Sequence, residues 1–473
     1  MHAATLAYLQ RRPICRRPRI RTSRSDARAG EQEKLNMNIR FLTIPLILTL
    51  GSATFGAGVH DSTERKADGK GKPEVLYVWA GDQAHQAPDF LAVIDFDEDS
   101  RTYGRVINTV PLPPPGNSGN EPHHCHLNSD KTVLACGGLL SLLKGQNGIF
   151  FFDVRSAKKP RFMFSAKAVE SSMTDDFLPI ENGGFLITQM GSATGMAPGR
   201  VAEFDGRMHF VKNHFGTVSL FQEWPSEPPL EDFNPHGISA RPDMNLMMTS
   251  DFILPGSTLM GSMGPVLRST VRIWNFRDRK ITKTVDLFAP DGTPAQGTMD
   301  VKMLPNDPHG YGYTAGMFDG HIYLIDPLGG TGTPVFDLST VEPHVITSVP
   351  GGMGQILATP ETGDRLIVGT FMAGQIVMLD TTDRFNPKQL SVVSFGANAG
   401  PHNLVLSDDD SRLVVTDYFL NEDELGIIHF EGDHKVHVLN VTHDKLTEDK
   451  RFNLDFNTAF KTGPARPHGI AMK

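Results

Sequence analysis

Arg466-Pro-His-Gly-Ile-Ala-Met-Lys473, the last eight residues of the chain, is a lone strand-like tail. It opens in the same way as three earlier segments: Glu121-Pro-His-His-Cys-His-Leu127, Asn234-Pro-His-Gly-Ile238 and Gly400-Pro-His-Asn-Leu404. Between them, short apolar runs alternate with clusters of Gly, Pro, Asn and Asp, the pattern of strand after strand with no amphipathic helix. The runs fall into seven units near 74–115, 121–170, 174–230, 233–295, 297–342, 350–398 and 400–455. A period of about 50–60 residues with four strands per unit is what a β-propeller requires. The first unit has only three clear strands, and the tail supplies the fourth. The expected fold is therefore an all-β, seven-bladed propeller over residues 74–473, its ring closed by the C-terminal strand completing the first blade.

Several units contain an apolar strand ending in aspartate: Leu91-Ala-Val-Ile-Asp95, Phe150-Phe-Phe-Asp153, Ile322-Tyr-Leu-Ile-Asp326 and Ile376-Val-Met-Leu-Asp380. Aspartate suits a turn because its side chain bonds the backbone two residues on.

With 473 residues, the chain has room for one large repeat domain or two to three ordinary ones. Its formal charge of −9 argues against a nucleic-acid partner, which would call for clustered Lys and Arg. Residues 1–36 differ from the rest, carrying eight arginines; they read as an over-extended reading frame, with an Arg-rich organelle presequence or a disordered tail as alternatives. Met37 opens a charged, then apolar, then small-residue order over 37–57, the layout of a secretory signal, followed by a linker over 58–73. The apolar run, residues 41–50, is too short to span a bilayer. A periplasmic or secreted location is expected, with no membrane attachment after cleavage. Cys125 and Cys136 lie on neighbouring strands, in a register not expected to set them squarely opposite; a disulfide is open but not expected.

Four separated segments offer an imidazole in one setting, so ring closure is expected to gather His123, His124, His126, His236, His402 and His468 at one mouth of the channel as metal ligands. A Pro-His pair at a loop-to-strand junction can also be a plain hydrogen-bonded turn, and the joint recurrence is what favours a site. His236 and Asp251 are fifteen residues apart, as are His402 and Asp417, and folding each segment at its midpoint sets His beside Asp. Asp251 and Asp417 are thus expected to orient the imidazoles or to accept protons. The same counting sets Gly138 opposite His123 and puts Asp175, Asp300 and Gln355 in the slots of blades lacking histidine. His85, in a loop expected to reach the same face, is added as a catalytic candidate, while His309 and His344 read as structural. The Met-rich stretch 244–263 reads as packing. Imidazole ligands suit copper, zinc, iron or nickel.

The segment Ala87-Pro-Asp-Phe-Leu-Ala-Val-Ile-Asp-Phe-Asp97, with Tyr103-Gly-Arg-Val-Ile107 and Glu121-Pro-His-His124 after it, resembles the selenium-binding protein family. Similarity continues through Asp232-Phe, Thr249-Ser-Asp-Phe252 and 407–415 to the C-terminal histidine. The better-defined members of that family are methanethiol oxidases. The resemblance implies a seven-bladed propeller, copper held by histidines, and oxidation of methanethiol by O2 and water to formaldehyde, hydrogen sulfide and hydrogen peroxide. Two family features are missing: the Cys-x-x-Cys segment after the paired histidines, and the Gly-Gly-Asp-Cys ending. His236 and His402 stand where animal members carry other residues. The chain thus resembles a divergent, exported branch richer in imidazole.

The leading expectation is an exported, copper-dependent oxidase of a small thiol, with the thiol and O2 as its small-molecule partners. Zinc or calcium is the lesser metal alternative. A metal-dependent, lactonase-like hydrolase and a non-catalytic, protein-binding propeller are the rival functions.

Overall fold

The computed structural model describes residues 72–473, except 228–230, 260–263, 398, 418–420, 423–427 and 430–431. The expectations for 1–36, for 37–57 and for most of the 58–73 linker fall outside the described residues. Among the described residues, no helix is long and apolar enough to cross a membrane.

Among the described residues, seven sheets of four or five strands follow one another along the chain, with two further two-stranded ribbons. The first joins Val75–Asp82, Phe90–Asp95 and Val106–Pro111 to the C-terminal strand Ala465–Met472, which lies innermost. The innermost strands of blades two to seven are Pro122–Leu127, Ser171–Pro179, Pro235–Arg241, Thr298–Met303, Gly354–Ala358 and Pro401–Leu406. All pairings within blades are antiparallel, as up-and-down connections dictate. Asp153, Asp326 and Asp380, at three of the quoted strand ends, each accept a backbone N–H from two residues on, at 2.9–3.0 Å.

What holds the ring together is apolar burial between blades rather than within one. Each of the seven junctions has its own buried cluster. Leu76, Val78 and Ile470 of blade one pack against Val414, Val436 and Val438 of blade seven, so the circle closes through the same contact that joins the other blades. Each fully buried Val, Leu or Ile contributes about 1.5–3 kcal/mol. The closing strand is also tied to blade two. Both terminal nitrogens of Arg466 donate to the carboxylate of Glu121 at 2.9 and 3.1 Å, a bidentate pair in buried surroundings. Burial raises the pKa of Glu121 to about 7 despite that partner.

Cys125 and Cys136 form a disulfide, with Cα atoms 4.2 Å apart, and they face each other directly in the ladder. This corrects the register expected for them. Gly138 stands opposite Pro122 rather than the expected His123, and the bulge at 123–124 then brings Cys125 opposite Cys136. The bond also removes Cys125 as a thiolate ligand.

One irregularity recurs in every blade. The innermost strand breaks register with its neighbour, leaving extra residues at 468, 123–124, 175–176, 236–237, 299–300, 355–356 and 402. These are β-bulges, which bend a strand locally and re-aim its side chains.

Candidate metal centre

The seven bulges form one belt around the channel, and the histidine cluster sits on it. In an unbroken strand, neighbouring side chains point to opposite faces. The bulge at 123–124 lifts that rule, so both His123 and His124 turn to the centre, their rings stacked 4.4 Å apart. His402 and His468 are the extra residues of their own strands and meet them there. The ring of His468 lies 4.3 Å from that of His123 and 4.8 Å from that of His402.

The residue after histidine explains the Pro-His-Gly motif. A Cβ on Gly469 would stand 2.2 Å from the carbonyl oxygen of His123 and 2.9 Å from Cys125 Sγ. One on Gly237 would stand 2.5 Å from Asp300 Oδ1. In both places the bulge presses its backbone onto the next blade, and only glycine leaves room.

His123, His124, His402 and His468, all buried, present nitrogen atoms within 4.8 Å of one another. The nearest pair, His124 Nε2 and His402 Nε2, is 3.3 Å apart. Two imidazoles sharing one tetrahedral ion at about 2.0–2.1 Å hold their nitrogens about 3.3 Å apart. A second set, His123, Asp175 and His236, meets the same distance limit and shares His123 with the first.

Asp175 is the charge at the heart of the belt. It is fully buried, with Oδ2 3.0 Å from His123 Nε2 and 3.3 Å from His236 Nε2, and Oδ1 3.3 Å from His124 Nδ1. Burial alone would raise its pKa; the surrounding imidazoles hold it well below the usual carboxylate range. Burial drives His402 and His468 well below the ordinary imidazole value, helped by the neighbouring rings. Burial likewise lowers His236 to about 4 and lowers His123. For His124, burial opposes the charged form, but Asp175 outweighs it and the pKa is raised. Neutral imidazoles are the form that binds metal, so the donor set fits an ion. The Nδ1 of His402 faces Gln355 Oε1, and the Nδ1 of His236 has no hydrogen-bond partner among the described residues.

The other expected residues fall elsewhere. His126, two positions beyond His124, leaves the cluster and faces Asp176 at 3.6 Å in the channel on the far side. Asp251 does not stand beside His236: the bulge moves the register by one, and Pro235 takes that place. Its carboxylate instead holds Arg272 Nε, Thr270 Oγ1 and the backbone N–H of Asn234 at 2.6–2.8 Å. Asp417 is displaced in the same way by Pro401 and bonds the backbone N–H of His434 at 3.0 Å. The acceptor role expected of these two falls to Asp175 and Gln355. His85 lies in the mouth loop, 3.3 Å from Arg466, and belongs to neither metal-competent set. His309 and His344 are exposed, away from the innermost strands. Met247 and Met248 are buried in interblade clusters, as packing residues.

Two cavities flank the histidines. One, of about 340 Å3, has His123, Asp175, His236, Gln355 and His402 at its base, and walls dominated by methionine and phenylalanine. The other, of about 290 Å3, is the charged side of the channel, where Lys302 lies 3.4 Å from Asp300 and 3.9 Å from Asp176.

The model of the 56 kDa selenium-binding protein family (SBP56) matches residues 58–473. A methanethiol oxidase of Hyphomicrobium sp is 24% identical over 430 residues, covering 82% of this chain and 84% of that protein. A methanethiol oxidase of Xenopus laevis is 23% identical over 354 residues, covering 69% and 70% respectively. Among solved structures, a hypothetical selenium-binding protein from Sulfolobus tokodaii superposes with a TM-score of 0.67 at 16% identity, covering 85% of this chain and 94% of the other. That likeness speaks to the propeller fold. With a match running through nearly the whole described ring, the chain belongs to the 56 kDa selenium-binding protein family.

Proposed function

We propose that this protein is a copper-dependent oxidase of a small thiol, with the ion held by His123, His124, His402 and His468. The observation that carries the reading is the set of four buried imidazoles within 4.8 Å of one another, two of which, His123 and His402, reach the base of an apolar cavity. The relatives named methanethiol oxidase support it at the level of the family. Copper, when bound, supplies the redox exchange that moves electrons from sulfur to O2, which zinc and calcium lack.

The protein's own groups prepare that chemistry. Asp175 Oδ1 lies 3.3 Å from His124 Nδ1, where its charge favours a proton on that nitrogen and leaves the Nε2 of the ring facing His402. Gln355 Oε1 accepts from His402 Nδ1 and fixes that ring in the same sense. His236, its Nε2 3.3 Å from Asp175 Oδ2, is kept neutral by burial and stands beside the carboxylate at the base of the cavity. The methionine and phenylalanine walls keep bulk water from the base of the cavity.

Export to the periplasm or beyond belongs to the same proposal. It is supported by the Cys125–Cys136 disulfide, a bond that persists in oxidising compartments. A hydrolase reading has less behind it: Asp300 and Asp176 are engaged by Lys302 and by backbone amides rather than gathered around an empty centre. The test is turnover. Copper-loaded protein given methanethiol in air should release formaldehyde, sulfide and peroxide; copper-loaded protein that consumes no O2 with any thiol contradicts the proposal.

A further inference from the structure

The geometry points to a substrate larger than methanethiol: an uncharged primary thiol with a bulky apolar tail, taken up in the methionine-lined cavity. This inference rests on the oxidase reading above and names the substrate class of that same site.

Size is the first argument. The cavity measures about 340 Å3. Pockets from about 300 Å3 upward hold drug-sized ligands, so a methyl group and a sulfur would leave most of this space unfilled. Lining is the second. Met190 of blade three, Met299 and Met317 of blade five and Met353 of blade six meet Phe252 and Phe371 along the walls. The strongly polar groups are confined to the base, where the histidines and Asp175 lie. A thiol therefore enters sulfur first, with its tail against thioethers and rings. A carboxylate or ammonium on that tail would be buried against the walls without a partner, at a cost that excludes cysteine and glutathione. Methionine is unbranched and adapts to tails of different shape, and its sulfur makes favourable contacts with aromatic rings.

The reaction for this class balances as R-CH2-SH + O2 + H2O → R-CHO + H2S + H2O2. The carbon–sulfur bond breaks, and the carbon next to sulfur is oxidised by two electrons. O2 accepts those electrons and becomes peroxide, and the oxygen of water ends in the aldehyde. A thiol with no hydrogen on that carbon binds but does not turn over.

The test compares methanethiol, 1-hexanethiol, benzyl mercaptan and cysteine as substrates of the copper-loaded protein, reading sulfide and aldehyde. Each added methylene in a matching apolar pocket is worth about tenfold or more, so kcat/KM for benzyl mercaptan should exceed that for methanethiol by at least about tenfold, with cysteine inert. Narrowing the cavity with Met353→Phe should lower the ratio of benzyl mercaptan to methanethiol turnover. A second readout does not depend on the metal: toluene should raise the melting temperature of the metal-free protein. Oxidation of methanethiol at an equal or higher kcat/KM, with no toluene shift, overturns this inference and leaves the oxidase reading standing. Failure of every thiol removes the oxidase reading and the inference with it.

Discussion

Asp175 faces His124 across 3.3 Å, Oδ1 to Nδ1, while the Nε2 of that ring looks at His402. One carboxylate thus orients a histidine from the adjacent blade toward a histidine of a blade further round the ring. Carboxylate partners of this kind fix the tautomer of a ligand and raise its basicity.

Replacing the charge tests this arrangement. Asp175→Asn keeps the size and removes the acceptor pair, so metal affinity should fall by about 10–100-fold. Chelator competition against the wild type reads the change directly, with unchanged circular dichroism showing that the ring remains folded.

Acid should weaken the metal-free protein through His236. The folded-state pKa of this residue is lowered by burial from the ordinary 6.5 to about 4. Between those values the unfolded chain binds a proton that the folded one refuses. The stabilising contribution is complete above pH 6.5 and is lost as pH falls toward 4, by up to about 1.4 kcal/mol per unit. Urea midpoints measured at pH 7 and near pH 4.5 should show that loss, and His236→Gln should make the slope shallower.

Much of the ring was legible in the sequence. The blade limits follow from the period of about 50–60 residues in the apolar runs and turn clusters, and the closing strand follows from a tail that begins like the other innermost strands. The recurring Pro-His also pointed to the right belt. The bulges were not legible, because counting back from a turn assumes an unbroken ladder. Counting therefore sets Asp251 and Asp417 beside histidines and gives Asp175 only a slot, whereas the bulges shift the pairing by one. Closeness in sequence groups His126 with its neighbours, although its position along the strand carries it past the cluster.

Gly469 offers a test of the bulge itself. Any side chain there meets the carbonyl of His123 and the sulfur of Cys125. Gly469→Ala should cost about 1–3 kcal/mol and reduce metal retention, since the added carbon pushes apart the two strands that carry His468 and His123. Thermal melting with metal analysis of the same sample checks both effects.

The disulfide ties the strand bearing His123 and His124 to its neighbour directly after the bulge. Changing both Cys125 and Cys136 to serine should lower stability by about 2–4 kcal/mol. A denaturant titration of the variant against the oxidised wild type gives the value.

The most direct test of the central claim, that ring closure gathers distant imidazoles around one ion, is the metal content of the purified protein. Elemental analysis should find copper near one per chain in the wild type, and almost none in His124→Ala, His402→Ala and His468→Ala variants that keep their circular dichroism. Wild-type protein that takes up no copper when offered it, or copper retained in all three variants, would contradict the account.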